Sequence, residues 1–270
     1  RYCQHDCGHA LAALCYAAAA LGWPARLLTH WGDEQIAAVT EVKRDEDFPG
    51  AEREAPEAIV WVGPGEPPSA EVVLRLLEGA VWTGHANILS PDHREWPDIP
   101  AVASATEKSP GLTLPKVDSP QLPAMEPVSR EPVSMLIRRR RSAQAFDGIT
   151  PISAQAFFRM LDALMPRSGL PPWSLLSSRP SVHPVLFVHR VEGMESGIYC
   201  LARDSGELAE LKAEMHEEWL WTSIPGSPQH LPLYLLAALD SRQFTEMASC
   251  HQAIAADSAF SLAMLARFDD

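Results

Sequence analysis

The chain has 270 residues, 46% of them hydrophobic, and a formal net charge of −13. This length suits one large or two small domains, and the composition is that of an ordinary globular protein. The acidic balance argues against broad binding of nucleic acid or of an anionic membrane, since both require a basic protein surface, and the absence of a run of about 18 apolar residues predicts no membrane-spanning helix.

The first segment, residues 1–68, begins with an alanine-rich helix. Asp6 is the expected cap, the helix runs from about Cys7 to Leu21, and Gly22 ends it. Leucines recur at helical spacing and alanines leave little side chain on the other faces, so the pattern predicts a central core helix. Further elements follow in chain order: a strand at residues 25–28, a short helix at 33–39 and a buried strand at 58–63.

Cysteine and histidine alternate at the beginning of this segment, at Cys3, His5, Cys7 and His9. On a helix the two cysteines share one face and the two histidines lie about 200° away, because each residue turns the helix by about 100°. One ion cannot reach all four side chains, so we predict no metal site and interpret them as small core residues and hydrogen-bonded histidines. The five cysteines lack the spacing of a disulfide framework, so reduced thiols in a cytoplasmic protein are expected.

The middle segment, residues 69–132, combines a short helix with a proline-rich stretch. Ser69 to Val81 is predicted to be an amphipathic helix. From Thr83 to Pro132 the apolar periodicity is lost and prolines recur. Because proline fixes φ and removes a backbone donor, this stretch is predicted to be an extended linker. The alternative is that this stretch binds, as a peptide ligand, to an aromatic groove.

The third segment, residues 133–270, begins with a helix over 133–141 that ends in four consecutive arginines. Guanidinium groups beside the hydroxyl of Ser142 suit a phosphate, because arginine gives bidentate, charge-assisted hydrogen bonds to its oxygens. Two alternatives stay open. The arginines can complement the dipole at the helix end, or they can form a solvated basic face.

The rest of this segment alternates helices and strands. Thr150 is the expected cap of the next helix, with Pro151 at its first position. The apolar stripe of this helix is Phe157, Leu161, Leu164 and Met165. The later elements are predicted as a loop rich in Ser and Pro at 167–180, paired strands at 185–191 and 197–201, helices at 207–216, 231–239 and 250–256, and a last strand at 260–266.

Three stretches resemble one family. Residues 140–147, RRSAQAFD, resemble the RRSxRxF(D) signature near the start of FMN-dependent nitroreductase-fold proteins. The hairpin at 191–199, with the pattern V-x-G-x-x-x-G-x-Y, is similar to the SagB/ThcOx-type dehydrogenase branch of that family. Residues 6–23 resemble the central helix in the C-terminal half of the same fold.

The resemblance implies an α+β, nitroreductase-like fold, with a mixed or antiparallel sheet flanked by helices, in two incomplete tandem units. Residues 1–68 would be the C-terminal half of a first unit, 69–132 a helix plus proline-rich linker, and 133–270 the N-terminal half of a second unit. We therefore expect a piece of a longer protein that pairs as a homodimer or between its own tandem units.

The resemblance also implies FMN as the cofactor. The positions that match the cofactor-binding residues of the family are Arg140, Arg141, Ser142, Gln144, Pro180 and Ser181. The first three would hold the FMN phosphate. Gln144 stands where the family usually has Arg or Lys, so it brings a hydrogen bond without a charge. Pro180 and Ser181 match the loop beside the flavin.

The implied reaction is flavin hydride transfer on a small-molecule or peptide substrate, with NAD(P)H as a candidate donor. In the SagB-like branch the substrate is often a peptide azoline. No catalytic residue is identified; Tyr199 is a candidate, although a strand tyrosine beside a hairpin more often packs. The alternatives are a degenerate, non-catalytic scaffold, which the Gln144 departure favours, and a peptide-binding accessory module that uses the proline-rich stretch.

Overall fold

The computed structural model describes residues 2–92, 94, 96–111, 121–176 and 180–266. Positions 112–120 of the predicted linker and 177–179 of the predicted Ser- and Pro-rich loop lie outside the described residues. The chain divides into two compact units: unit 1 is Arg1–Val117 with Ser168–Ser178, and unit 2 is Asp118–Arg167 with Arg179–Asp270.

Unit 1 is mainly helical, with a small two-stranded sheet. Its named elements are α1 (Tyr2–Ala20), β1 (Ala25–Leu27), α2 (Asp33–Thr40), β2 (Val60–Val62), α3 (Ala70–Leu76) and α4 (Asp98–Ala105). Strand β1 pairs antiparallel with β2, and a small core contains Leu28, Trp31, Ile36 and Ala70. The strands expected at 25–28 and 58–63 and the helix expected at 33–39 are confirmed within a few residues, but the strand at 58–63 is only partly buried. The helix expected at Ser69 to Val81 is shorter than predicted and ends at Leu76.

The end of α1 is confirmed and its beginning is corrected. Gly22 has φ +73, and the N–H groups of Trp23 and Gly22 donate to the carbonyls of Ala18 and Ala19 at 2.9 and 3.0 Å. This is the hydrogen-bond pattern of a glycine-terminated helix. The predicted cap at Asp6 is wrong, because the helix already begins at Tyr2.

The prediction that α1 is a central core helix is also wrong. Cys15 and Ala18 are buried, but Leu14 is 40% exposed and Leu21 is 64% exposed. The helix is apolar on several faces, whereas packing in the described residues covers essentially one of them. Its sequence is therefore suited to more packing neighbours than it has here.

Helix α4 lies inside the stretch that was predicted to be an extended linker, so that part of the prediction is wrong. The reason is the position of its proline. Pro100 falls in the first turn of the helix, where its missing N–H would have no intrahelical acceptor. Proline content alone therefore did not exclude a helix.

Unit 2 is α+β and contains the larger sheet. Its elements are α5 (Val133–Arg139), α6 (Ala154–Asp162), β3 (Val182–Val188), β4 (Gly197–Leu201), α7 (Leu208–Glu214), β5 (Thr222–Ser223), β6 (Leu233–Ala238), α8 (Arg242–Ala248), α9 (Ala253–Asp257) and β7 (Phe260–Ala266). The sheet has five strands in the order β5-β6-β4-β3-β7, and every neighbouring pair is antiparallel.

Helix α6 covers one face of this sheet. Phe157 and Leu161 are fully buried and Met165 nearly so, which confirms the predicted apolar stripe. Phe157 packs edge-on against Phe260 of β7, with ring centroids 5.0 Å apart. On the opposite face, Phe187 of β3 contacts Phe244 of α8, with ring centroids 5.6 Å apart. Helices therefore flank the sheet on both faces.

Two boundaries in unit 2 differ from the predictions. Helix α6 begins after Ser153, whose hydroxyl accepts a hydrogen bond from the Ala156 N–H at 3.2 Å, so Thr150 is not its cap. The segment predicted as a helix at 231–239 contains β6, which pairs with both β4 and β5. A short apolar run does not distinguish a buried strand from a helix, and sheet pairing decided the outcome.

Three further elements of unit 2 were missed or shifted. Helix α8 and strand β5 were not predicted, and α9 begins at Ala253 instead of Cys250 because Cys250 and His251 have positive φ values of 55 and 59. Among the helices that the structure describes, none is long and apolar enough to cross a membrane.

Replacement of Phe157 by Ala should lower the free energy of unfolding by about 3–5 kcal/mol, because it leaves a cavity at the centre of the core. Chemical denaturation followed by circular dichroism measures this loss. Met160→Ala is the control on the same helix, since Met160 is 43% exposed, and it should cost less than about 1 kcal/mol. Equal losses for the two variants would contradict the assigned packing of α6.

Candidate functional site

Helix α5 ends within the run of four arginines, directly before the predicted site residues Arg140, Arg141 and Ser142. Helix α5 ends at Arg139, and Arg140 has extended backbone angles of φ −57 and ψ 130. The Nη1 of Arg140 donates to the hydroxyl of Ser142 at 3.2 Å. The Nη1 of Arg141 donates to the carbonyls of Arg138 and Arg140, at 2.8 Å each. The loop thus brings two guanidinium groups and one hydroxyl together.

The charges of this loop are not balanced from within the described part of the chain. Arg139 forms an exposed ion pair with Glu131, at 3.2 Å, whereas Arg140 and Arg141 have no carboxylate partner among the described residues. Both side chains are exposed, as are Ser142 and Gln144. Exposed guanidinium groups beside a hydroxyl are suitable donors for a phosphate.

A tight turn follows the arginine loop. Asp147 Oδ1 accepts hydrogen bonds from the N–H groups of Ile149 and Thr150, both at 2.9 Å, and the Thr150 hydroxyl donates to Oδ2. Thr150, foremost through its hydroxyl, lowers the pKa of Asp147 to about 2. Gly148 has φ +70, and a Cβ there would lie 3.1 Å from Asp257 Oδ1, so the turn favours glycine.

The turn is attached to the sheet through Ile152. The N–H of Ile152 donates to the carbonyl of Arg190 at 3.2 Å, and its carbonyl accepts from the N–H of Glu192 at 2.9 Å. The half-buried guanidinium of Arg190 donates in turn to the carbonyls of Asp257 and Ser258. These bonds fix the chain between the arginine loop and α6 against the β3–β4 connection.

Pro180 and Ser181 lie directly before β3, and a buried histidine anchors that strand. Nδ1 of His183 accepts from the Arg203 N–H at 3.1 Å, and Nε2 lies 2.8 Å from a carboxylate oxygen of Glu207. The ring is therefore the Nε2–H tautomer, donating to Glu207. A histidine within an apolar strand is the one sequence feature that could have indicated this network.

The structure therefore brings together some of the predicted site residues. Arg140, Arg141 and Ser142 share one loop with Gln144, while Pro180 and Ser181 lie at the beginning of β3. Among the described residues, no hydrogen bond joins the loop to Pro180 or Ser181. The cofactor roles of these positions stay predictions.

Tyr199 is packed in the protein core, as a tyrosine on a strand usually is. It is 2% exposed, and its hydroxyl donates to the Glu195 carbonyl at 2.6 Å. Burial raises its pKa to about 12, with a smaller effect from the charge of Glu195. A hydroxyl that is already bonded inside the hairpin is poorly placed to exchange protons with a substrate.

A second polar cluster was not predicted from the sequence. Asp162 at the end of α6 accepts hydrogen bonds from Arg167 at 2.6 Å and from His230 at 2.8 Å. It borders a depression of about 380 Å³ between α6 and residues 226–228. Arg167 also donates to the Asp162 carbonyl, so the cluster first of all closes the end of the helix.

The residues Cys3, His5, Cys7 and His9 all lie on the continuous helix α1. His9 Nδ1 donates to the carbonyl of His5 at 2.9 Å, as expected for a hydrogen-bonded histidine. In the parts of the chain that the structure describes, no three Cys, His, Asp or Glu side chains are placed to share a metal ion.

Comparison with known proteins identifies the fold. No protein-family model and no curated protein matches the chain. The structure is similar to that of a protein from Anabaena variabilis that is provisionally named a nitroreductase, with a TM-score of 0.56 and 15% identity. The match covers 97% of this chain and 49% of that protein, so the chain spans about half its length. The fold is nitroreductase-like: α+β, with an antiparallel sheet flanked by helices.

Thr150→Val should raise the pKa of Asp147 from about 2 toward the ordinary value near 3.8, because it removes the hydroxyl donor. Since the folded-state pKa is depressed, the stabilisation by Asp147 is present above pH 3.8 and is lost as the pH falls through about 2. Carboxyl carbon NMR shifts measure the titration directly. Thr150→Ser retains the hydroxyl and should titrate like the wild type. An unchanged Asp147 titration in Thr150→Val would show that the turn is not formed this way.

Proposed function

We propose that this protein is an FMN-dependent oxidoreductase that acts by flavin hydride transfer. One observation carries the proposal: Arg140, Arg141 and Ser142 lie together on an exposed loop of a nitroreductase-like fold, and neither arginine has a carboxylate partner in the part of the chain that the structure describes. The loop supplies the phosphate chemistry, and the fold is the reason to choose FMN among phosphate ligands.

The residues present fit the phosphate end of the cofactor. Arg140 and Arg141 would donate charged hydrogen bonds to the phosphate, and Ser142 would add its hydroxyl. Gln144 would contribute an amide donor two residues farther along. Pro180 and Ser181 would border the flavin, at the strand end that His183 fixes through Glu207. When bound, FMN would supply the hydride chemistry.

The substrate and the electron donor are proposed on the resemblance of the hairpin at 191–199 to SagB-type dehydrogenases. A peptide azoline is the proposed substrate, and NAD(P)H is the candidate electron donor. Pairing of two nitroreductase-like units, within the chain or between copies, is proposed as well. It is supported by the chain's spanning about half the length of its structural relative and by the exposed apolar faces of α1.

A non-catalytic role is the second candidate. Gln144 carries no charge where the family usually has one, which weakens the phosphate contact and favours a degenerate scaffold or a peptide-binding accessory module. The proline-rich stretch before α5 would then be the segment that meets a partner. The two candidates differ in whether the protein binds FMN.

Flavin binding separates these candidates. If the protein is an oxidoreductase, it should purify yellow, with absorbance bands at about 370 and 450 nm, or take up added FMN. NAD(P)H should then bleach the band near 450 nm under anaerobic conditions. A colourless protein that takes up no FMN would exclude the flavoenzyme and support the scaffold.

The double variant Arg140→Ala with Ser142→Ala tests the loop itself. It should weaken FMN binding by at least about 100-fold, since two hydrogen bonds to a charged group are lost and each contributes about 1.5–3 kcal/mol. Arg138→Ala with Ser134→Ala is the matched control, because it removes the same two residue types from exposed positions on α5. Fluorescence quenching of FMN measures both affinities. Similar affinities in the two variants would place the phosphate elsewhere.

A further inference from the structure

A buried histidine lies directly after β3, on the connection that anchors the arginine loop. His189 is 8% exposed, and its backbone N–H donates to the carbonyl of Ala259 at 3.0 Å. Its own carbonyl accepts from the Ser196 hydroxyl at 3.0 Å. The main chain of His189 is thus fixed at the beginning of the β3–β4 connection, while the proposed binding site makes no use of the ring.

Helix α8 holds the ring of His189. The Thr245 hydroxyl donates its one proton to the carbonyls of Ser241 and Arg242, at 3.0 and 2.8 Å. The oxygen of this hydroxyl lies 3.4 Å from Nε2 of His189. It is therefore the acceptor of that contact, and the neutral ring carries its proton on Nε2. Ser241 and Thr245 are both buried, so the contact is shielded from solvent.

The charges that act on this ring give a second cation little compensation. In the described part of the chain they belong to Arg190, Asp240 and Arg242. Asp240 and Arg242, at the beginning of α8, bind each other at 2.5 Å and so largely cancel. Arg190 is the next residue on the connection, and its guanidinium donates to backbone carbonyls at the end of α9. A protonated His189 would therefore be a buried cation beside another cation.

These surroundings favour the neutral ring. Burial is the main cause that lowers the pKa of His189 below its ordinary value of 6.5, and the charges of Arg190 and Arg242 lower it further. The Ala255 carbonyl on α9 and the Asp240 carboxylate act in the opposite direction without reversing the shift. Because the folded-state pKa is depressed, the stabilisation by the neutral ring is present above pH 6.5 and is lost as the pH falls through the folded-state value.

The β3–β4 connection is also where the chain before α6 is attached to the sheet. The carbonyl of Arg190 accepts from the Ile152 N–H at 3.2 Å, and the Glu192 N–H donates to the Ile152 carbonyl at 2.9 Å. His189 directly precedes this bridge in the chain. The bridge holds the turn at Asp147 and, through that turn, the arginine loop. The contacts that fix His189 thus also fix the anchor of the loop.

We propose that the anchor of the arginine loop opens in response to protonation of His189. The neutral ring holds the β3–β4 connection against α8, whereas a protonated ring beside Arg190 loosens the connection and with it the bridge at Ile152. A phosphate ligand that requires the ordered loop binds to the closed form and opposes the opening. This coupling to a phosphate rests on the function proposed above, whereas the opening itself does not.

Amide hydrogen exchange of the wild-type protein tests the opening. Protection of the Ile152 and Glu192 amides, corrected for intrinsic exchange rates, should fall by about three- to tenfold from about pH 7.5 to about pH 5.5. Uptake of one proton on opening limits the loss to about tenfold for each pH unit. NMR should show that the His189 ring titrates below pH 6.5. Protection that does not change with pH, or a ring that titrates at or above its ordinary value, would overturn the proposal.

His189→Gln separates the effect of this ring from those of the other histidines. The glutamine amide can donate to the Thr245 hydroxyl in place of Nε2 but does not titrate, so the protection of Ile152 should no longer depend on pH. His230→Gln is the matched control, since it removes a half-buried ring of unit 2 that binds Asp162, and it should keep the wild-type dependence. An equal pH dependence in the wild type and in His189→Gln would contradict the role of His189.

Added FMN tests the coupling to the arginine loop. At a concentration about 100 times its dissociation constant, FMN should raise the protection of Ile152 and Glu192 by about 100-fold at both pH values, because it binds to the anchored loop. If FMN leaves the protection unchanged while the pH dependence remains, the phosphate site at the loop is wrong and the opening is still supported. If FMN raises the protection but the pH dependence is absent, the site is supported and the opening is wrong.

Discussion

The packing of Phe157 against the sheet is the contact on which unit 2 depends. Its ring is fully buried and meets Phe260 on the last strand of the sheet, so one side chain joins α6 to β7. Strand β3 runs between β4 and β7 and carries the buried residues Leu186 and Val188 beneath the helix. Because α6 is held on this face, the position of the chain that precedes α6 is also fixed relative to the sheet.

The fixed position of the chain before α6 determines where the arginine loop lies. Ile152 bonds to the β3–β4 connection, and Asp147 closes a turn onto Thr150, so only a few residues separate the anchored chain from Ser142. The loop itself is exposed and carries charges that are not balanced within the described residues. A rigid anchor beside an unbalanced cationic loop suits the binding of a phosphate, because little ordering is needed when the ligand arrives.

Sequence patterns predicted the elements that depend on local chemistry. The stripe of α6, the β3–β4 hairpin and the glycine stop at Gly22 follow from periodicity and turn residues. Strand β6 was mistaken for a helix because its apolar run fits both, and pairing with two neighbours decides between them. The exposure of α1 and the His183–Glu207 bond depend on which distant segments meet. The arginine cluster was found in the sequence, but as the end of a helix over 133–141, whereas α5 ends at Arg139; its relation to Pro180 and Ser181 could not be derived from spacing.

We propose that the arginine loop binds the phosphate of FMN. Isothermal titration calorimetry with FMN and with riboflavin, which has the same ring system but no phosphate, tests it most directly. FMN should bind at least about 100-fold more tightly than riboflavin, because two or more hydrogen bonds to the charged phosphate are absent with riboflavin, and the difference should shrink as salt screens the guanidinium charges. Equal affinity for the two ligands, or no binding of either, would contradict it.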